Sequence, residues 1–148
     1  MRTNMVKRSL AGIFLVVAMA ISGCGGSAGP ASAPVGQAVA ETEALGLPVN
    51  IDAATLNQVR NRDDVVVLDV REDYEFAGGH IPGATWIPLG ELSSRLNEIP
   101  AGKTVVAVCR SGNRSGQATT LLRQQGFDAH NMQGGMISWE QAGYDVEK

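Results

Sequence analysis

One seven-residue stretch, Cys109-Arg110-Ser111-Gly112-Asn113-Arg114-Ser115, constrains this chain more than any other. It follows the apolar run Thr104-Val105-Val106-Ala107-Val108 and precedes a helical pattern from Gly116 to Gln125. A short β-branched run bounded by turn residues reads as a buried parallel strand. The thiol is therefore expected where a strand stops and a loop curls toward a helix N-terminus. Open α/β sheets place their ligand sites at such strand ends.

That position has chemical consequences. The first N–H groups of a helix lack intrahelical partners, and the helix dipole adds partial positive charge at that end. Gly112 and Asn113 tolerate left-handed backbone angles, so successive loop N–H groups can turn inward as an anion cradle. Arg110 and Arg114 add two cations. Such surroundings lower a thiol pKa from about 8.5 to roughly 3.5–7.5, which makes thiolate at neutral pH. The plain alternative is an inert cysteine capping a core strand. A glycine-containing loop with two arginines favours the reactive thiol.

The loop resembles the active-site loop of rhodanese-type sulfurtransferases. Upstream, Leu68-Asp69-Val70-Arg71-Glu72, Glu75-Phe76 and Gly79-His80-Ile81-Pro82-Gly83-Ala84 resemble a second signature of that family. Gly134-Gly135-Met136 and Trp139-Glu140-Gln141-Ala142-Gly143-Tyr144 match a third, near the end of the domain. The three occur in the family's order and cover residues 49–148. The resemblance implies a rhodanese-like α/β fold, a small central parallel sheet with helices on both faces. It also implies sulfur transfer through a Cys109 persulfide, with Arg110, Ser111, Gly112, Asn113, Arg114 and Ser115 binding substrate; Ser115 is in addition a candidate N-cap of the helix that follows.

The residue pattern supports the same architecture independently. Val49-Asn50-Ile51 reads as a short strand, and Asp52 as the N-cap of a helix burying Leu56 and Val59. Val65 to Val70 is a strand, a second helix starts near Glu72, and a short strand runs through Trp86 and Ile87. Leu92, Leu96 and Ile99 stand at helical spacing before Pro100. Gly126 fits the residue after a helix end, with Phe127 placed to touch Leu122. A strand around Ala129–Met132 and a helix from about Gly135 to Gln141 close the domain. Alternating strands and helices predict a parallel sheet covered on both faces.

The supporting residues read as structural. Asp69 and Arg71 point the same way from one strand end, with Asp69 expected to tie loop N–H groups and Arg71 to pair with nearby acids. Glu75 is expected to be structural too. His80 invites a general-base reading, as in Cys–His pairs, but a turn histidine between Gly79 and Ile81-Pro82 is better read as a hydrogen-bonding strut. Trp86 fits either core or pocket wall, and His130 has no motif around it. Trp139 and Met136 read as core. No spacing of Cys, His, Asp or Glu suggests a metal site, and no cofactor is implied.

Residues 1–23 read as an address rather than fold. Arg2, Lys7 and Arg8 precede a twelve-residue apolar run, Leu10 to Ile21. That is too short to span a bilayer, which needs about 20 residues, but suits a signal peptide. Ile21-Ser22-Gly23-Cys24 resembles the lipobox of bacterial lipoproteins, which implies cleavage before Cys24 and acylation of that residue. The expectation is an exported protein, lipid-anchored on the periplasmic side. Gly25 stands where inner-membrane retention typically needs Asp, which favours the outer membrane in a cell with two. Residues 24–48 read as a linker, with thirteen Gly, Ser, Ala or Pro among residues 25–40. Acylation of Cys24 would leave Cys109 as the single free thiol.

Removing residues 1–23 takes away three basic residues and no acidic ones, moving the formal net charge from −3 to −6. An acidic domain does not suggest nucleic acid as a partner. Expected partners are a small anionic sulfur donor, thiosulfate or a persulfide, and a thiophilic acceptor such as cyanide, a thiol or a protein cysteine. Two rivals stand beside the enzyme reading. One is a sulfur carrier or sensor module without turnover. The other is a cysteine phosphatase or arsenate reductase, which uses a loop with five residues between Cys and Arg. Here four residues separate Cys109 from Arg114.

Overall fold

A computed structural model of the protein describes residues 45–148. Residues 1–23, Cys24 and most of the linker lie outside the described residues. Five strands form one all-parallel sheet: β1 (Asn50–Ile51), β2 (Val65–Asp69), β3 (Thr85–Trp86), β4 (Thr104–Val108) and β5 (Asp128–Met132), in the order β1-β5-β4-β2-β3. Four α-helices accompany them: α1 (Ala53–Val59), α2 (Asp73–Ala77), α3 (Asn113–Gln124) and α4 (Gly135–Gln141). Every residue of β2 and β4 is buried. That follows from their Val-rich runs, because a strand covered on both faces has no polar side to offer water.

Alternation along the strands sorts the core into two layers. Val106 and Val108 face Leu56, Met132, Met136 and Trp139, beneath α1 and α4. Val105, Ala107 and Cys109 face Leu68, Ala118, Leu122 and Ala129, beneath α3. Cys109 thus continues the α3 side of the sheet just past the last residue of β4. Register aligns Asp69 with Val108, so the C-terminal ends of β2 and β4 lie side by side. The small central parallel sheet with helices on both faces expected from the sequence is the one observed.

Helix boundaries have local causes. Asp52 accepts the Thr55 N–H at 2.7 Å and caps α1. At the other end of α3, Gly126 has φ +86°, Gly126 N–H donates to the Arg123 carbonyl, and Phe127 N–H donates to the Leu122 carbonyl. This is the Schellman arrangement, with a left-handed residue satisfying the last carbonyls.

Two expectations differ from the structure. Leu92, Leu96 and Ile99 sit in two short 3-10 turns, Leu92–Ser94 and Leu96–Glu98, and not in one α-helix. Arg95, at φ −117° and ψ +18°, breaks the helical path between them. Leu92 and Ile99 are still buried, because turns of this kind deliver the same side chains to the core. Within the stretch read as linker, Leu45 and Leu47 already pack against the core. The Pro48 carbonyl also lies 2.8 Å from His130 Nδ1. Alternate apolar residues at 45 and 47 bring the chain onto the sheet before β1 begins.

Candidate active site

Cys109 is 1% exposed and leads out of β4 into the loop. Gly112 stands at φ +97° immediately before α3 and turns its N–H onto the sulfur, 3.0 Å from Sγ. Its left-handed angle leaves α3 to begin at Asn113, so Asn113 is helical and only Gly112 supplies the reversal. Ser115, expected as an N-cap, lies instead inside the first turn of α3, fully buried. From there its hydroxyl lies 3.3 Å from Sγ and 2.6 Å from Oδ1 of Asn131.

These contacts set the acidity of the thiol. Burial pushes it up by disfavouring the charge. The Ser115 hydroxyl and the N–H groups of Ser115, Ser111 and Gly112 outweigh that, and the thiol stands below its ordinary value. Of the inward amides anticipated from the loop, the Gly112 N–H makes a hydrogen bond to the sulfur.

The two arginines do not behave alike. Arg114 Nη1 and Nη2 donate to Oε2 and Oε1 of Glu75 at 2.7 and 2.8 Å. Both arginines expected at the loop are there, but the charge of Arg114 is matched by a carboxylate from α2. The Arg114 guanidinium holds the Glu75 carboxyl below the usual carboxylate range, against the burial that raises it. Glu75 also accepts the Glu72 N–H at 3.2 Å. Arg110 is exposed and makes no side-chain hydrogen bond or ion pair with any described residue.

The outer side of the loop is gripped by α4. The N–H groups of Met136 and Ile137 donate to the carbonyls of Cys109 and Arg110 at 2.8 and 3.1 Å. Such close approach requires Gly135, at φ +55°: a Cβ there would collide with the Cys109 carbonyl oxygen and the Arg110 carbonyl. Gly112, Ser111 and Asn113 also line a shallow opening of about 230 Å3 with Asn131, Gln133 and Gly134.

Asp69 and Arg71 close on one another. Arg71 Nη2 lies 2.7 Å from Asp69 Oδ2, and both side chains are buried. Asp69 Oδ1 also accepts the Arg71 N–H at 3.0 Å, and Arg71 Nη2 reaches the Gly79 carbonyl at 2.8 Å. These bonds fix the β2–α2 turn beside the loop, the structural part expected of them, although the acid that Arg71 pairs with is Asp69 itself. His80 stacks on Phe76 at 3.8 Å between ring centres, and its Nδ1 lies 3.1 Å from the Phe76 carbonyl. Its backbone pairs with Glu147. It is built into the turn and makes no hydrogen bond to Cys109. Trp86 is half-buried, donating its indole N–H to the Arg71 carbonyl. No group of His, Cys, Asp and Glu able to hold a metal occurs among the described residues.

Two features of the site were not singled out from sequence. Asn131 belongs to no motif, and the one signal it carries is a polar amide inside a strand whose neighbours are core residues. The pairing of Glu75 with Arg114 spans 39 positions and has no local signature.

A family model for the rhodanese-like domain matches residues 52–142. The chain belongs to the rhodanese-like family. Its domain is 40% identical over 98 residues to a sulfurtransferase of Allochromatium vinosum, covering 65% of this chain and 92% of that protein. It is 42% identical over 101 residues to an uncharacterised protein of Synechocystis sp., covering 68% of this chain but only 56% of that protein. Among solved structures, a rhodanese-related protein from Thermoplasma volcanium superposes with a TM-score of 0.63 at 35% identity, covering 68% of this chain and 98% of the other. The rhodanese-like domain places Cys109 and the loop after it just past the C-terminal end of β4, the central strand of the sheet.

Proposed function

We propose that the protein is a sulfurtransferase that carries sulfane sulfur on Cys109. The observation that carries this reading is the sulfur's own setting: Sγ lies 3.0 Å from the Gly112 N–H and 3.3 Å from the Ser115 hydroxyl, at the N-terminus of α3. Donors pointing at one buried sulfur favour negative charge there.

The thiol proton first leaves to solvent. The Cys109 thiolate then attacks the outer sulfur of thiosulfate and forms a new S–S bond. The donor's S–S bond breaks, and sulfite departs with its electron pair. An acceptor such as cyanide, a thiol or a protein cysteine then attacks the outer sulfur of the persulfide and returns Cys109 as thiolate. Covalent transfer divides one hard step into two easier ones. The near-complete burial of Cys109 favours a slender donor with a terminal sulfur. Arg110 meets the donor's anionic end, because it is the loop arginine without a carboxylate partner among the described residues. Arg114 acts through Glu75 to hold the loop. Asp69, Arg71 and His80 support the fold around it.

Only four residues separate Cys109 from Arg114, a small ring suited to a sulfur atom and crowded for a tetrahedral phosphate. The test is incubation with thiosulfate and cyanide. Repeated formation of thiocyanate marks an enzyme, a single equivalent marks a carrier, and none at all counts against sulfur transfer. We further propose that Cys24 is acylated and holds the domain on the exported face of a bacterial membrane, through the linker that follows it. This rests on the Ser22-Gly23-Cys24 pattern alone.

A further inference from the structure

Ser115 is fully buried, and its hydroxyl stands between two acceptors. Oδ1 of Asn131 lies at 2.6 Å and Cys109 Sγ at 3.3 Å. A hydroxyl carries one proton, so it serves one acceptor at a time. The 2.6 Å contact is at the short end for O–H···O bonds, which gives Asn131 the proton while the sulfur is neutral. Asn131 is fixed in turn: its Nδ2 donates to Asn50 Oδ1 on the edge strand β1 at 2.9 Å, which aims its carbonyl at Ser115. Asn131 is itself 8% exposed, too little for water to replace a lost partner freely.

We propose that Asn131 is a positioning residue for Cys109, competing with the sulfur for the single proton of Ser115. With a neutral thiol, the S–H donates to the Ser115 oxygen and the Ser115 O–H donates to Asn131. When the thiol proton leaves to solvent, the sulfur can only accept, and the hydroxyl rotates onto it. The Asn131 carbonyl is then left short of a donor in a buried place, which opposes the change. In a persulfide the charge sits on the outer sulfur, and the hydroxyl returns to Asn131. Asn131 thereby resists thiolate formation before transfer and favours the loaded state after it.

Among the charged groups around the loop, Arg114 also acts on the Cys109 charge, a contribution common to every variant compared below. Arg114 is held by Glu75, Asp69 and Arg71 close on each other, and Asp128 of β5 binds His130 and Thr104. Arg110 and Glu140 are exposed. None makes a hydrogen bond to the Ser115 or Asn131 side chain.

The inference rests on the sulfur-carrier reading of Cys109 for its purpose, but its test uses no sulfur donor. Alkylation of the full-length chain by iodoacetamide is followed against pH, on the tryptic peptide Thr104–Arg110 that carries Cys109. Ser115→Ala is expected to raise the midpoint by about one pH unit, the equivalent of one hydrogen bond to a charged group. Asn131→Leu, of similar shape but no acceptor, is expected to lower it. The double variant is expected to titrate like Ser115→Ala, because Asn131 acts only through that hydroxyl. Circular dichroism establishes which variants fold. If Asn131→Leu does not, Asn50→Ala, which frees the Asn131 amide from its tether, is expected to lower the midpoint instead. A midpoint that rises or stays put in the folded variant of this pair, or an equal shift with Ser115 absent, would overturn the proposal. Expected shifts in a protein that takes up no sulfur would overturn the sulfur-transfer reading alone.

Discussion

Arg114 and Glu75 meet fork to fork between the first turn of α3 and the single long turn of α2, with both contacts within 2.8 Å. The pair ties the sulfur-bearing loop to the neighbouring strand connection. Glu75→Gln is expected to destabilise the fold by about 1–2 kcal/mol, less than the 3–5 kcal/mol typical of breaking a fully buried pair. Thermal melting would show a fall of about 5–10 °C. The pH dependence has a definite sign. The Glu75 carboxyl is held below its ordinary value, so the difference between wild type and Glu75→Gln should be full at neutral pH. It should close as pH falls below the ordinary glutamate value and through the lowered one. A difference that grows on acidification would contradict this role.

Gly135 is where α4 touches the loop backbone. Gly135→Ala is expected to cost about 2–4 kcal/mol, combining a strained left-handed angle with a collision at the Cys109 and Arg110 carbonyls. Gly126→Ala supplies the control, because it shares the left-handed angle and has open space around it. Denaturant unfolding should show a clearly smaller loss for Gly126→Ala. Equal losses would mean that the contact between α4 and the loop contributes nothing of its own.

How far the sequence could be read depended on how local each cause was. The strand 104–108, its stop at Cys109, the reversal at Gly112 and the cap at Gly126 are written in adjacent residues, and the fold follows from them. Leu92, Leu96 and Ile99 deceived because helical spacing is also met by consecutive 3-10 turns that feed one core layer. The fate of Arg114 was hidden for another reason. Its partner arrives from α2 only because β2 lies beside β4, a relation between strand ends and not between neighbours in the chain. Ser115 was expected at a helix start for its chemistry, and the backbone put Gly112 there because the loop needed a left-handed residue. The same displacement turned the serine hydroxyl toward sulfur.

His80→Asn should separate a strut from a base. Loss of the ring stacked on Phe76 and of its Nδ1 contact is expected to lower stability by about 1–2 kcal/mol. Sulfur uptake per folded molecule should change less than twofold. A stably folded variant as inactive as Cys109→Ser would make His80 part of the chemistry.

The membrane proposal is tested at Cys24. Cys24→Ala is expected to release the protein from membranes or leave it unprocessed, as read by fractionation and intact mass. Wild-type protein that is fully soluble and carries no acyl chain would contradict it.

The most direct measurement is the mass of Cys109 after exposure to a sulfur donor. Purified protein incubated with thiosulfate should gain one sulfur atom on the peptide Thr104–Arg110, and cyanide should remove it as thiocyanate. Cys109→Ser should gain none. Arg110→Ala should weaken the use of thiosulfate by about 1.5–3 kcal/mol, roughly 10- to 150-fold, and that of a neutral persulfide donor less. Wild-type protein that takes sulfur from no sulfane donor, or uptake that survives Cys109→Ser, would contradict sulfur transfer through Cys109.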